Sequence, residues 1–200
     1  MSNTEIVLAS ASQSRAALLE GAGLNVMIRP ADIDETGIKE ECRRNDLDVA
    51  KTAARLAWGK SRKISNLLPH ACVIGADQML NCGGEWLDKP ANLTAAAESL
   101  RLLRGQTHEL VTSVSIARAG QERWRHTDRA TLVMRDFSDE FLQGYLDRVG
   151  QVAFSSVGAY QLEGLGAQLF ERIDGDYFTI LGLPLLPVLA YLRDEGALSA

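Results

Sequence analysis

Residues that could do chemistry stand at the ends of short apolar runs in this 200-residue chain. The first group, Ser10-Ala-Ser12-Gln-Ser14-Arg15, follows the apolar run Ile6-Val-Leu-Ala9 and precedes a helical pattern through Leu18 and Leu19. A strand feeding a helix start exposes free backbone N–H groups and the positive end of the helix dipole, a combination suited to phosphate. Arg15, one turn in, carries the planar fork that binds such oxygens in pairs. The second group, Asp32, Asp34 and Glu35, crowds three carboxylates into four positions. Such like charges are either well solvated, as in an acidic turn that caps the next helix, or balanced by a cation. Oxygen donors without His or Cys select Mg²⁺ or Mn²⁺ among metals. The third is Asp77, which ends the run Cys72-Val-Ile-Gly-Ala. A carboxylate at the end of a central strand, where the sheet edge opens into a crevice, is placed for catalysis, and Asp77 is the leading catalytic candidate. Lys60 and Lys89 add cations near predicted element ends, and Glu163 lies between apolar neighbours where a carboxylate needs a partner. The inventory fits metal-assisted phosphoryl chemistry.

Other chemistries leave no signature in the sequence. There is no phosphate-cradling GxxxxGK[ST] loop, GxGxxG, HExxH or GxSxG, and His70, His108 and His126 show no ligand spacing. A net charge of −5 opposes a general polyanion-binding surface, so no nucleic-acid polymer is expected as a partner. Cys42, Cys72 and Cys82 are odd in number and lack a CxxC pair, which predicts reduced thiols and a cytoplasmic protein. No apolar run is long enough to span a bilayer. Asn92-Leu-Thr94 then matches the glycosylation pattern by chance.

The elements that must position these groups read as an α/β protein, a mixed sheet with helices on its faces. At 46% hydrophobic content the 200 residues suffice for one sizeable core, a single domain over residues 1–200 divided into two lobes by a cleft. Strands are predicted at Ile6 to Ala9, Asn25 to Arg29, Cys72 to Leu80, Glu109 to Ala117, Glu122 to Met134, Gln168 to Ile173 and Tyr177 to Leu181. Gly83-Gly84 and Ala119-Gly120 are hairpin turns. The first helix begins at Ser10 or Ser12 and stops at Gly21 to Gly23. A long helix runs from Asp46, its expected N-cap, to about Leu68, and carries Lys60. Further helices are predicted from Thr94, as N-cap, to Leu103, from Ser138 to Gly150, and from Pro184 to Glu195. The stretch Ser155 to Gly166 has the glycine-rich composition of a ligand-wrapping loop or a surface turn.

The order of these motifs resembles the Maf family of nucleoside triphosphate pyrophosphatases, nearly end to end. The resemblance rests on Leu8-Ala-Ser10-Ala-Ser12 with Arg15 and Leu18-Leu19, on Asp34-Glu35-Thr36, Lys60, Gly75-Ala-Asp77-Gln78 and Lys89-Pro90, and on Gly158-Ala-Tyr160 and Gly175-Asp-Tyr177 leading into Gly182-Leu-Pro184. It implies hydrolysis between the α and β phosphates with a divalent metal cation (Mg²⁺ or Mn²⁺), a homodimer, and a two-lobed fold similar to that of the inosine triphosphatases. By position, Asp77 is implied as the proton acceptor that orients water, Glu35 as metal ligand with help from Asp77, and Ser10, Arg15, Lys60 and Lys89 as the surround of the triphosphate. The chain departs from the family where Gln13 and Ser14 replace its usual proline and first basic residue, and where Asp88 replaces the glycine before the Lys-Pro pair.

Ser14, Gln78 and Glu163 fall where the family's branches differ in base preference. Gln78 and Glu163 match the branch associated with 7-methyl-GTP, which commonly has an aromatic residue where Ser14 stands. A carboxylate accepts from the N1–H and amino group of guanine, whereas thymine and uracil turn mostly carbonyl oxygens towards it. That mismatch costs on the order of 1 to 3 kcal/mol. The expected substrate is therefore a 7-methyl-GTP-type nucleotide. The alternatives are a dTTP/UTP pyrophosphatase and a non-catalytic, nucleotide-responsive regulator of cell division.

Overall fold

The computed structural model describes residues 4–198, and its order of elements follows from local signals. Strand β1 (Ile6–Leu8) leads into helix α1 (Gln13–Gly21), whose N-cap is Ser12, its side chain accepting from the Arg15 N–H. Next come β2 (Val26–Ile28), α2 (Glu35–Arg44), α3 (Val49–Leu67), β3 (Cys72–Cys82), β4 (Glu85–Leu87), α4 (Leu93–Leu103), β5 (Thr107–Arg118) and β6 (Gln121–Met134). Helix α5 (Asp139–Val149) is followed by three 3₁₀ turns (Gly150–Phe154, Val157–Ala159, Leu165–Leu169), then β7 (Phe170–Asp174), α6 (Tyr177–Ile180) and α7 (Leu185–Asp194). The strands form a seven-stranded mixed sheet in the order β2-β1-β3-β5-β6-β7, with β4 paired to β3. β1 pairs in parallel with β2 and β3, while β4 and β7 pair antiparallel with β3 and β6.

Two compact units divide the chain. Among the described residues, one takes residues 4–77, Thr112–Asp128 and residues 177–198; the other is Gln78–Val111 with Arg129–Asp176. In the first unit the period-2 alternation of β1 and β3 separates two apolar layers. Ile6, Leu8, Cys72, Ile74 and Ala76 join a cluster with Leu19 of α1 and Val188 and Leu192 of α7. Val7 and Val73 face the other way, onto Ile64 of α3. Asp77 continues this second face, two residues beyond Gly75, and so looks towards α3.

Four local expectations are corrected. Asp46 does not cap the long helix: it sits in the turn after α2 with φ +53, and Asp48 accepts from the Lys51 N–H at 2.8 Å instead. Asn92, not Thr94, caps α4, accepting from the Ala95 N–H at 2.9 Å. The aromatic and β-branched run at Tyr177–Ile180 is a short helix rather than a strand, closed by the Leu181 N–H on the Tyr177 carbonyl at 3.2 Å. Asp77 does not stand at the end of its strand: β3 runs past it to Cys82, where β4 pairs with it across the expected Gly83-Gly84 turn. Among the described residues no helix is long and apolar enough to cross a membrane.

Candidate active site

Five of the sequence-predicted residues, Ser10, Arg15, Glu35, Lys60 and Asp77, lie in the first unit, and Lys60 joins Glu35 to Asp77. Its ammonium donates to Asp77 Oδ1 at 2.6 Å and lies 2.8 Å from Glu35 Oε1. Lys60 and Asp77 are only 8% and 6% exposed, so each charge depends on the other for the compensation that water gives elsewhere. Glu35 is half-exposed at the start of α2, beside the N-cap Asp34. Burial works against its ionisation, but the hydrogen bond and charge of Lys60, with Lys39 and Arg15 behind it, hold its carboxyl below the usual carboxylate range.

Arg15 takes a different place from the one expected of a phosphate ligand. The guanidinium is buried, with Nε donating to the Gly182 carbonyl at 2.7 Å and Nη1 to the Ala76 carbonyl at 2.9 Å and Ser10 Oγ at 3.2 Å. Burial lowers its pKa, and the carboxylates of Asp77 and Glu35 oppose that shift. Arg15 thus ties α1, β3 and the turn before α7 together immediately behind Asp77. Gly182 suits this turn, since its φ of +99 is a left-handed conformation that L side chains rarely adopt. Ser10 is buried, and its Oγ also accepts from the Ser12 N–H at 3.2 Å. Ser14, half-buried, lies in the first turn of α1. Gln78, Lys89 and Glu163 belong to the second unit, Gln78 half-buried and the other two exposed.

Sequence reasoning missed the carbonyls of Ala76 and Gly182 as partners of Arg15. The available signal was the arginine itself, since a guanidinium in an otherwise apolar helix face must find several acceptors. The donor set suits a divalent cation in one specific way. Glu35 and Asp77 bring two carboxylates to a single point now held by the Lys60 ammonium, and no cluster of three His, Cys, Asp or Glu side chains occurs among the described residues. Mg²⁺ is commonly bound through one or two carboxylates plus water and substrate phosphates, and two carboxylates are what this site offers.

Comparison with known proteins gives the same direction as the geometry. The family described as Maf-like protein matches residues 5–195. A protein of Granulibacter bethesdensis named nucleoside triphosphate pyrophosphatase is 46% identical over 195 residues, covering 98% of this chain and 99% of the relative. One of Rhizobium meliloti named 7-methyl-GTP pyrophosphatase is 45% identical over 195 residues, covering 98% of both. The structure of a HAM1 protein from Coxiella burnetii aligns with a TM-score of 0.43 at 15% identity, over 67% of this chain and 74% of that one.

Proposed function

The chain belongs to the Maf family, and from that premise we propose that it is a nucleoside triphosphate pyrophosphatase acting on a 7-methyl-GTP-type nucleotide, with Asp77 as proton acceptor. The observation that carries this reading is the Lys60 ammonium shared between Asp77 and Glu35. Lys60 engages Asp77 Oδ1, which leaves Oδ2 to take a proton from an incoming water. The water oxygen bonds to the α-phosphorus as the bridging bond to the β-phosphate breaks, and the electron pair leaves with pyrophosphate. Within the first unit Ser10 and Lys60 would face the triphosphate; at 4 Å and an effective dielectric near 20 a cation contributes a Coulomb attraction of roughly 4 kcal/mol before desolvation costs. Glu35 and Asp77 would hold Mg²⁺ or Mn²⁺, which supplies Lewis-acid stabilisation of phosphate charge when bound. Arg15 keeps the Ala76 carbonyl, and hence the adjoining Asp77, in place. The working enzyme is read as a cytoplasmic homodimer on family grounds.

Base preference rests on Gln78 and Glu163, with Ser14 at the third position. A carboxylate at Glu163 accepts from the donors of guanine and attracts the positive charge of a 7-methylated ring, and a relative bearing the 7-methyl-GTP name supports the choice. The test is kcat/KM for 7-methyl-GTP, GTP, CTP, dTTP and UTP on the wild type and on Glu163→Gln. The reading expects 7-methyl-GTP to lead and its lead to shrink about tenfold in the variant. A wild type that prefers dTTP or UTP overturns the base assignment, and an unchanged ranking in Glu163→Gln removes Glu163 from base reading.

A further inference from the structure

We propose that the contact between Gly75 and the backbone around Ser61 is the spacer that seats Lys60 on Asp77, making Gly75 and Ser61 positioning residues for that pair. The inference rests on the roles just given to Lys60 and Asp77. Gly75 and Asp77 share one face of β3, and α3 packs on that face. A Cβ on Gly75 would stand 2.3 Å from the Ala57 carbonyl oxygen and 2.6 Å from the Ser61 amide nitrogen. Both are backbone atoms of α3 and cannot swing aside, so any side chain here drives the helix off the strand by about 1 Å to recover normal contact distances. Lys60 lies between these two residues in sequence, and its reach to Asp77 is set by how closely α3 sits.

A second observation locks the same point from the side. Ser115 on β5 donates to Glu122 Oε1 at 2.6 Å, and its oxygen lies 3.0 Å from Ser61 Oγ, whose single proton is shared between that oxygen and the Trp58 carbonyl of α3 at 3.1 Å. Glu122 is in turn forked by Arg125 through Nε at 3.0 Å and Nη2 at 2.7 Å. One turn further along α3, Ser65 Oγ accepts from the Gly120 N–H at 3.2 Å. Ser61, Ser65 and Ser115 are fully buried, so each hydroxyl holds the helix against neighbouring backbone or side chain rather than against water. Ala57, Ser61 and Ser65 recur at four-residue spacing and form the seam on which α3 is registered, with Lys60 beside it.

The test uses the full chain with Gly75→Ala and Lys60→Ala, singly and together. Two readouts are taken: kcat and KM with Mg²⁺ on the nucleotide the wild type turns over best, and the rate of reductive methylation of Lys60 by peptide mass spectrometry, with exposed Lys51 as reference. Gly75→Ala is expected to lower kcat about a hundredfold with KM within about threefold, because displacements near 1 Å cost that much in a positioned site. In the Lys60→Ala background the same substitution is expected to cost less than about threefold, since the two changes act through one contact. Lys60 methylation, relative to Lys51, is expected to quicken about tenfold as the ion pair opens. Equal losses in both backgrounds, or unchanged protection of Lys60, overturn the proposal. If Gly75→Ala does not unfold cooperatively, Ser61→Ala decides, because it removes the hydroxyl without adding volume: faster Lys60 methylation supports the spacer and unchanged protection overturns it. A wild type that turns over no nucleotide sinks the proposed function, while the methylation comparison still judges the spacer.

Discussion

The first unit buries Lys60, Asp77 and Arg15 among charged partners and carbonyls, whereas the second buries His108, Tyr145 and Tyr160 among aromatic rings. In the first, each charge faces an opposite one at 2.6 to 2.8 Å or a set of carbonyls. In the second, His108 Nε2 lies 2.8 Å from the Tyr160 hydroxyl, and Nδ1 has no partner. Burial alone lowers His108 to about 4, raises Tyr145 to about 12, and pushes Tyr160 up, with Tyr145 adding to that last effect. The Tyr145 hydroxyl is spent on the Ala159 carbonyl at 3.1 Å, and the His108 and Tyr160 rings pack against Phe170. Polar residues deep in a protein are therefore poor guides to function by themselves. What separates the two clusters is that one sets a carboxylate against an ammonium at 2.6 Å, while the other packs its polar groups against one another and against aromatic rings, where burial disfavours charge.

Metal removal should separate the clusters most sharply. With excess chelator, nucleotide turnover is expected to vanish and to return with Mg²⁺ or Mn²⁺, while the acid stability governed by His108 stays as it was; persistent turnover would detach Glu35 and Asp77 from metal binding. The next largest effect is that of Asp77→Asn, which keeps the shape and removes the basic oxygen. A fall in kcat of at least about a hundredfold is expected, with cooperative unfolding retained because Glu35 still partners Lys60. Retention of more than about a tenth of the wild-type rate would take the proton-acceptor role from Asp77.

The smallest effect on turnover belongs to the neutral cluster, whose own effect is read in stability. The unfolded chain protonates His108 near its ordinary 6.5, whereas the folded state resists down to about 4. Stability is thus complete above pH 6.5 and declines as pH falls from there towards 4, by about 3 kcal/mol from this residue. Glu35 acts in the window below, since its depressed carboxyl gives stability that is lost only under its ordinary pKa of 4.5. Denaturant melts of wild type and His108→Gln across pH 4 to 7 check this: the variant should lose that part of the slope while kcat/KM stays within about twofold. Parallel slopes in the two proteins would break the comparison.

Much of the charged cluster was legible because its members announce themselves locally. Ser12 caps α1 as its position suggests, the helical spacing from Val49 to Leu67 carries Lys60, and the run before Asp77 reads as a buried strand. Their mutual contacts were not legible, since they depend on which face of β3 meets α3, and that is a property of the sheet order. The same reason hid the partners of Arg15, two carbonyls brought in from β3 and from the turn before α7. Competing caps hid the helix starts: Asp46 and Asp48 are both good N-cap residues, and only the turn after α2 decides between them. The aromatic and β-branched composition of Tyr177–Ile180 argues for a strand, but the Gly182 turn closes it as a helix.

The most direct test of the central claim is product analysis with the wild-type chain. The protein is incubated with 7-methyl-GTP and Mg²⁺, and pyrophosphate, orthophosphate and nucleoside monophosphate are measured separately over time. The account predicts pyrophosphate and monophosphate in equal amounts, with no orthophosphate. Steady orthophosphate release without pyrophosphate would place the cut between the β and γ phosphates and contradict it.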